Sequence, residues 1–241
     1  LKVGMNFDGI VVSDWKGYSR FGENDIINAG IDVVMAVDGD LENFQEGLKL
    51  GIIDKTVKIS RIDDAVKRIL RQKFRLGLFK NPFPNASLIS KIGIKEHRDL
   101  ARQAVRESLV LLKNEDNVLP LSKKTKKILV VGEHANSSGL QSGGWTKHWQ
   151  GTKENYKGAT TILEGIKKHA KGKVVYDKDA TKNCFDADVA IIVVGEVPYA
   201  EFFGDIGHES NLLTLTLTSS HQKYIKTYQE KGIKTVVVLV S

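Results

Sequence analysis

The apolar positions of this chain form short continuous runs separated by segments with helical spacing. Phe7-Asp8-Gly9-Ile10-Val11-Val12-Ser13 reads as a strand that ends at polar Asp14, and Ile31 to Val37 reads as a second, buried strand. Segments 24–30, 41–50 and 60–74 carry helix-like spacing. Ser60 is placed to cap the last of them, and Gly77 and Pro82 to stop it. A polar stretch with Pro82, Pro84 and Asn85 then breaks the pattern. Glu96 to Lys113 is expected to form one long helix with Leu100, Ala104 and Leu111 on a shared face. From Lys127 the alternation resumes, with strands over 128–132, 173–176, 189–195 and 235–240. Helices are expected over 161–170 and about 219–231, the latter closed by Gly232.

Strands alternating with helices predict a parallel α/β architecture. The first 80 residues hold only about two strand–helix units, whereas a closed eightfold barrel takes about 250 residues. Any barrel here is therefore the end of one. The chain also stops on a strand, where a parallel sheet would continue, so both ends read as cut.

Composition narrows the field. Lys and Arg number 36 against 29 Asp and Glu, for a net charge of +7. The basic residues are spread along the chain. The densest run, Lys123-Lys124-Thr125-Lys126-Lys127, comes without any nucleic-acid-binding pattern and reads as a solvated linker, so no nucleic-acid partner is expected. No apolar run is long enough to span a membrane. The single cysteine, Cys184, excludes an internal disulfide framework and a multi-thiolate metal site. The six histidines show no metal-ligand spacing. The sequons at Asn85 and Asn136 lean towards a secreted, vacuolar or lysosomal location.

In parallel α/β units, ligands gather at the carboxyl ends of the strands. The residues expected there are Ser13, Asp14, Trp15 and Asp38, then Glu133 and His134, then Glu196, Glu201 and Asp205. Asp14 followed by Trp15 suits a sugar site: a carboxylate to attack an anomeric carbon and an indole to stack on a sugar face. Asp14 as the cap of a turn fits its position equally well. Glycoside chemistry needs a second carboxyl, about 5–5.5 Å away in a retaining enzyme. Glu201 lies between Ala200 and Phe202-Phe203, and an apolar setting would raise its pKa as a general acid requires. Glu196 is the competing acid, nearer the strand. A glycine-bracketed loop, Gly143-Gly144-Trp145 to Trp149-Gln150-Gly151, adds two indoles, with Trp145 expected to pack and Trp149 to bind.

Several ordered motifs resemble glycoside hydrolase family 3. Asp8-Gly9-Ile10-Val11-Val12-Ser13-Asp14-Trp15 is similar to its nucleophile signature. Arg61-Ile62-Asp63-Asp64-Ala65 through Leu70, with Phe74 to Phe79, resembles the last barrel helix and its exit. His97 to Arg102, Ser108 to Asn114 and Leu119-Pro120-Leu121 resemble the inter-domain linker. The Gly-Gly-Trp loop and 195–205 are similar to exo-β-glucanases of plants and bacteria.

The resemblance implies the C-terminal part of a (β/α)8-type barrel over 1–80, a linker with a helix over 81–126, and a truncated, mostly parallel α/β sandwich over 127–241. It implies a retaining, exo-acting β-glucosidase or β-glucanase that releases glucose from β-glucosides or β-glucans. Asp14 falls on the nucleophile position and Glu201 on the acid/base position. Trp15 and Trp149 fall on the indoles that sandwich the sugar beyond the cleaved bond, and Arg20 and Met35 line the pocket. No metal or organic cofactor is implied. The residues that grip glucose come from an N-terminal barrel portion, the missing partner of this fragment, without which it should be inactive. Residues 206–211 depart from the family's pattern. The alternatives are a sugar-binding relative without catalysis and a nucleotide-binding α/β module. The second lacks a glycine-rich phosphate cradle.

Overall fold

The structure, a computed structural model, describes residues 1–37, 39–182, 184–204 and 216–241. The chain divides into two compact units, Leu1–Ser108 and Leu109–Ser241.

The first unit contains β1 (Val12–Trp15), α1 (Gly17–Arg20), α2 (Asn24–Ala29), β2 (Val33–Met35), α3 (Asp40–Ile53), α4 (Ile59–Arg75) and α5 (Lys95–Ser108). β1 and β2 pair in parallel. Tyr18, Ile27 and Val57 form the buried centre, with Val34, Phe44 and Leu48 packed around them. The Tyr18 ring meets Phe44 edge-on, with centroids 5.2 Å apart. α4 begins at Ile59, before Ser60, and ends in a Schellman motif. Leu78 N–H bonds Lys73 O, Gly77 N–H bonds Phe74 O, and Gly77 takes the left-handed φ of 69° that this exit demands.

Charge fastens the same unit. The Asp32 side chain is 0 % exposed and sits 2.6 Å from Lys2 Nζ and 2.7 Å from Arg61 Nη2, and it also accepts Val11 N–H at 2.9 Å. Burial by itself would raise its pKa, but these three donors outweigh that and hold the carboxyl below its ordinary value. Arg61 also donates to the carbonyls of Ile27 and Ile31. Arg68 reaches back to Phe7 and Gly9. The Arg61-Ile62-Asp63-Asp64 motif is thus a tether that straps α4 across both strands.

The second unit contains β3 (Lys127–Val131), α6 (Ser138–Ser142), α7 (Ile162–His169), β4 (Lys173–Asp177), β5 (Val189–Gly195), α8 (Ser219–Gln229) and β6 (Lys234–Val240). Among the described residues its four strands are all parallel, in the order β4-β3-β5-β6. β3 and β5 are buried along almost their whole length, as continuous apolar strands covered on both faces must be. Leu129, Val131, Ile192 and Val194 join Tyr228 of α8 on one face. Ile128, Val130, Ile191 and Val193 join Leu163 of α7 on the other. A capping box opens α7: Thr161 Oγ1 accepts Glu164 N–H, and the Glu164 carboxylate accepts Thr161 N–H. Gly232 does not cap α8 directly. Glu230 is the cap, and Gly232 closes the exit two residues later at φ 70°.

Three elements differ from the sequence expectation. β2 covers only Val33–Met35 of the expected 31–37 and is half-buried to exposed, not buried, because it is covered incompletely here. β1 begins at Val12 and contains Asp14, instead of stopping before it. The long helix ends at Ser108, and Leu109 to Lys113 are not helical. Four consecutive apolar residues, Leu109-Val110-Leu111-Leu112, cannot all share one helical stripe. Asn114 then organises the following turn, donating to Leu119 O and accepting Leu119 N–H.

Candidate active site

Asp14 owes its position to an irregularity in the sheet. Val12 pairs with Val33 and Trp15 with Met35, so β1 spends one residue more than β2 over the same interval. Such a bulge turns a side chain out of the alternating pattern. Ser13 fastens it by accepting Met35 N–H at 2.9 Å and donating to Asp14 O at 2.8 Å. Lys16, left-handed at φ 53°, then donates its N–H to Met35 O at 2.9 Å. Gly17 is required next, because a Cβ there would lie 2.6 Å from that of Ser13.

The Asp14 carboxylate emerges from this bulge largely in solvent. Its Oδ1 accepts Trp15 N–H at 2.7 Å, and its Oδ2 stands 3.6 Å from the Arg20 guanidinium. Trp15 and Met35, register partners, are 52 % and 38 % exposed. Asp14 and Arg20 thus form an exposed pair of acceptor oxygen and cation, and Trp15 and Met35 put two exposed apolar side chains on the neighbouring positions of the two strands. Asp38 lies outside the described residues.

In the second unit the sheet has a topological switch. From β3 the chain crosses to β4 on one side and returns to β5 on the other, and the crevice beyond such a point is where open α/β sheets bind ligands. A cavity of about 250 Å³ opens nearby, lined by Gly143, Gly144, Glu196, Pro198, Tyr199 and Val240. Glu133 is engaged with Lys178 at 3.1 Å and Lys153 at 3.7 Å, which keeps its pKa low. His134 is buried, and its Nε2–H donates to Glu196 O at 2.9 Å. Both residues following β3 are thus committed to internal contacts.

The glycine-bracketed loop and segment 196–204 interlock. Trp145 N–H bonds Trp149 O at 2.9 Å, and the two indole centroids are 6.2 Å apart. Trp149 also meets Phe202 edge-on, at 6.3 Å. Trp145 does not anchor the core as expected. It is 67 % exposed against 45 % for Trp149, and its backbone is left-handed at φ 60°. Glu196 and Glu201 are both exposed, and so are Phe202 and Phe203, so the described residues of this unit do not enclose Glu201 in an apolar setting. Asp205 and residues 206–211 lie outside the described residues. Sequence reasoning quoted Gln150 but gave it no task. Its amide reaches the Ala200-Glu201 backbone, a contact over 50 residues of separation that leaves no local pattern.

The description "Glycosyl hydrolase family 3 C-terminal domain" matches residues 109–241. Over 237 residues the chain is 33 % identical to the "Lysosomal beta glucosidase" of Dictyostelium discoideum, covering 84 % of this chain and 29 % of that protein. Among solved structures it resembles an exo-1,3/1,4-β-glucanase from a Pseudoalteromonas species, with 36 % identity and a TM-score of 0.86 over 99 % of this chain and 40 % of that one. It also resembles a β-glucosidase from Listeria innocua solved with isofagomine, with 27 % identity and a TM-score of 0.76 over 99 % and 34 % of the two chains. The chain spans well under half the length of these relatives.

Proposed function

Because the chain belongs to glycoside hydrolase family 3, we propose that it is the part of a retaining, exo-acting β-glycosidase that carries both reacting carboxyl groups. The substrate class is a β-glucoside or β-glucan, in keeping with the names of the relatives. The observation that carries the reading is the Asp14 cluster: a solvent-facing carboxylate on a strand bulge, with an indole and a guanidinium beside it.

Asp14 attacks the anomeric carbon while Glu201 protonates the departing oxygen. Water, deprotonated by Glu201, then releases the sugar with retained configuration. The Trp15 N–H on Oδ1 leaves Oδ2 to attack. Arg20 sets a positive charge 3.6 Å from that oxygen before the bond forms. Trp149 and Trp15 stack on the leaving sugar, and Met35 supplies apolar surface to the pocket. The rest of the barrel and the grip on glucose belong to sequence that this chain does not contain. Among the described residues no helix is long and apolar enough to cross a membrane. The relatives include a lysosomal and a periplasmic β-glucosidase, so a secreted, periplasmic or lysosomal setting is our reading for the whole protein.

The test is kinetic, in the intact polypeptide. Asp14→Asn should abolish turnover. Glu201→Gln should slow substrates with poor leaving groups by about 10²–10⁴-fold. The first product should be the β-anomer. Unchanged turnover in both variants would reject these roles for Asp14 and Glu201, and an α-anomeric product would reject the double displacement.

A further inference from the structure

Gln150 stands where the two loops of the second unit meet. Its Oε1 accepts Ala200 N–H at 2.7 Å, and its Nε2 donates to Glu201 O at 3.3 Å. One side chain thus brackets the Ala200-Glu201 dipeptide at the start of a turn that Phe203 N–H closes on Ala200 O. The surrounding glycines allow the approach. A Cβ on Gly144 would run into the Tyr199 carbonyl, and one on Gly151 would lie 2.5 Å from Pro198 Cβ and 2.8 Å from Gly143 O. Trp149, next to Gln150, braces Phe202, next to Glu201. Contacts therefore run in step along the two segments, on 198, 199, 200, 201 and 202.

We propose that Gln150 is a positioning residue for Glu201: its amide holds the backbone from which the acid/base carboxyl projects. The inference rests on the assignment of Glu201 as acid/base. The chemistry selects glutamine, since the position needs an acceptor for an N–H and a donor for a carbonyl on one planar group. Glutamate would accept from Ala200 but set its second oxygen against Glu201 O. Leucine would satisfy neither. Glu201 is exposed on a loop, so its aim depends on such backbone ties, and a displacement of about 1 Å can cost about 10²-fold in rate.

The experiment measures kcat/KM for an alkyl β-glucoside and for 2,4-dinitrophenyl β-glucoside, whose leaving group departs without a proton. Gln150→Ala, Gln150→Glu and Glu201→Ala are compared in the intact polypeptide, with amide exchange at Ala200 followed in each. Both Gln150 variants should lose about 10²-fold on the alkyl glucoside and keep their rate on the dinitrophenyl glucoside. Gln150→Ala should also speed exchange at Ala200, whereas Gln150→Glu, which retains the acceptor, should not. If Gln150→Ala does not fold, Gln150→Glu carries the test. Equal losses on both substrates, or none, would overturn the role of Gln150 while Glu201→Ala still discriminates between them. A Glu201→Ala variant that does not discriminate would instead overturn the acid/base assignment itself.

Discussion

His134 spends its Nε2–H on the carbonyl of Glu196, a residue 62 positions later, and so ties the exit of β3 to the exit of β5. Removing that donor leaves a partly buried carbonyl without its partner. His134→Leu should destabilise the second unit by about 1–3 kcal/mol, read as a lower denaturant midpoint at unchanged slope. His134→Gln, which keeps an N–H near the same place, should recover much of the loss. Equal losses for the two variants would mean that packing, not the hydrogen bond, is what His134 contributes.

Acid should act first on the second unit. Burial, and then the neighbouring His134, hold the His221 pKa below its ordinary 6.5. The folded state therefore resists a proton that the unfolded chain accepts. Stability is full above pH 6.5 and falls as pH drops from there to the folded pKa. Asp32 is also depressed, from 3.8, so its contribution is lost only below that value. Unfolding followed against pH should show a decline that begins near 6.5 and that His221→Gln abolishes. A curve flat to about pH 4 would contradict the burial of His221.

The ion-pair tether of the first unit gives a larger single effect. Asp32→Ala removes the fully buried partner of Lys2 and Arg61 and leaves them only the half-exposed Asp64, at a cost of up to about 3–5 kcal/mol. Thermal unfolding of Asp32→Ala against Asp8→Ala checks this, because the Asp8–Arg75 pair is exposed and its loss should have a far smaller effect.

Phe202 tests the aromatic surface. Its edge supports the Trp149 indole. If that indole stacks on the leaving sugar, Phe202→Ala should raise KM for a disaccharide about 2- to 10-fold, the worth of one aromatic pair at about 0.5–1.5 kcal/mol. Little change in kcat is expected. A fall in kcat at constant KM would place Phe202 with the acid/base machinery instead.

β3 and β5 are legible because a fully buried parallel strand must be apolar at every position, as 189–194 is, and the half-buried edge strands β4 and β6 are legible from their β-branched runs. β1 was misplaced by the very feature that makes it useful, since a bulge breaks the period by which a strand is recognised. Leu109 to Leu112 read as helix because apolar runs carry no period to separate helix from extended chain. In the site, residue types at strand ends were readable, so Asp14, Trp15 and Glu201 could be singled out. The tasks of Gln150 and His134 were not, because each bonds backbone groups brought near only by the fold. The exposure of Trp145 is set by the tertiary packing of its loop, which its local sequence does not declare.

The interlock between the glycine-bracketed loop and segment 196–204 bears on how such enzymes could be re-engineered. A graft of 196–204 alone, made to transplant a new leaving-group preference, would carry half a joint and leave Gln150 and Gly144 facing a stranger. The two segments are better exchanged as a mated pair, together with Tyr156, whose hydroxyl holds Thr146 O of the same loop.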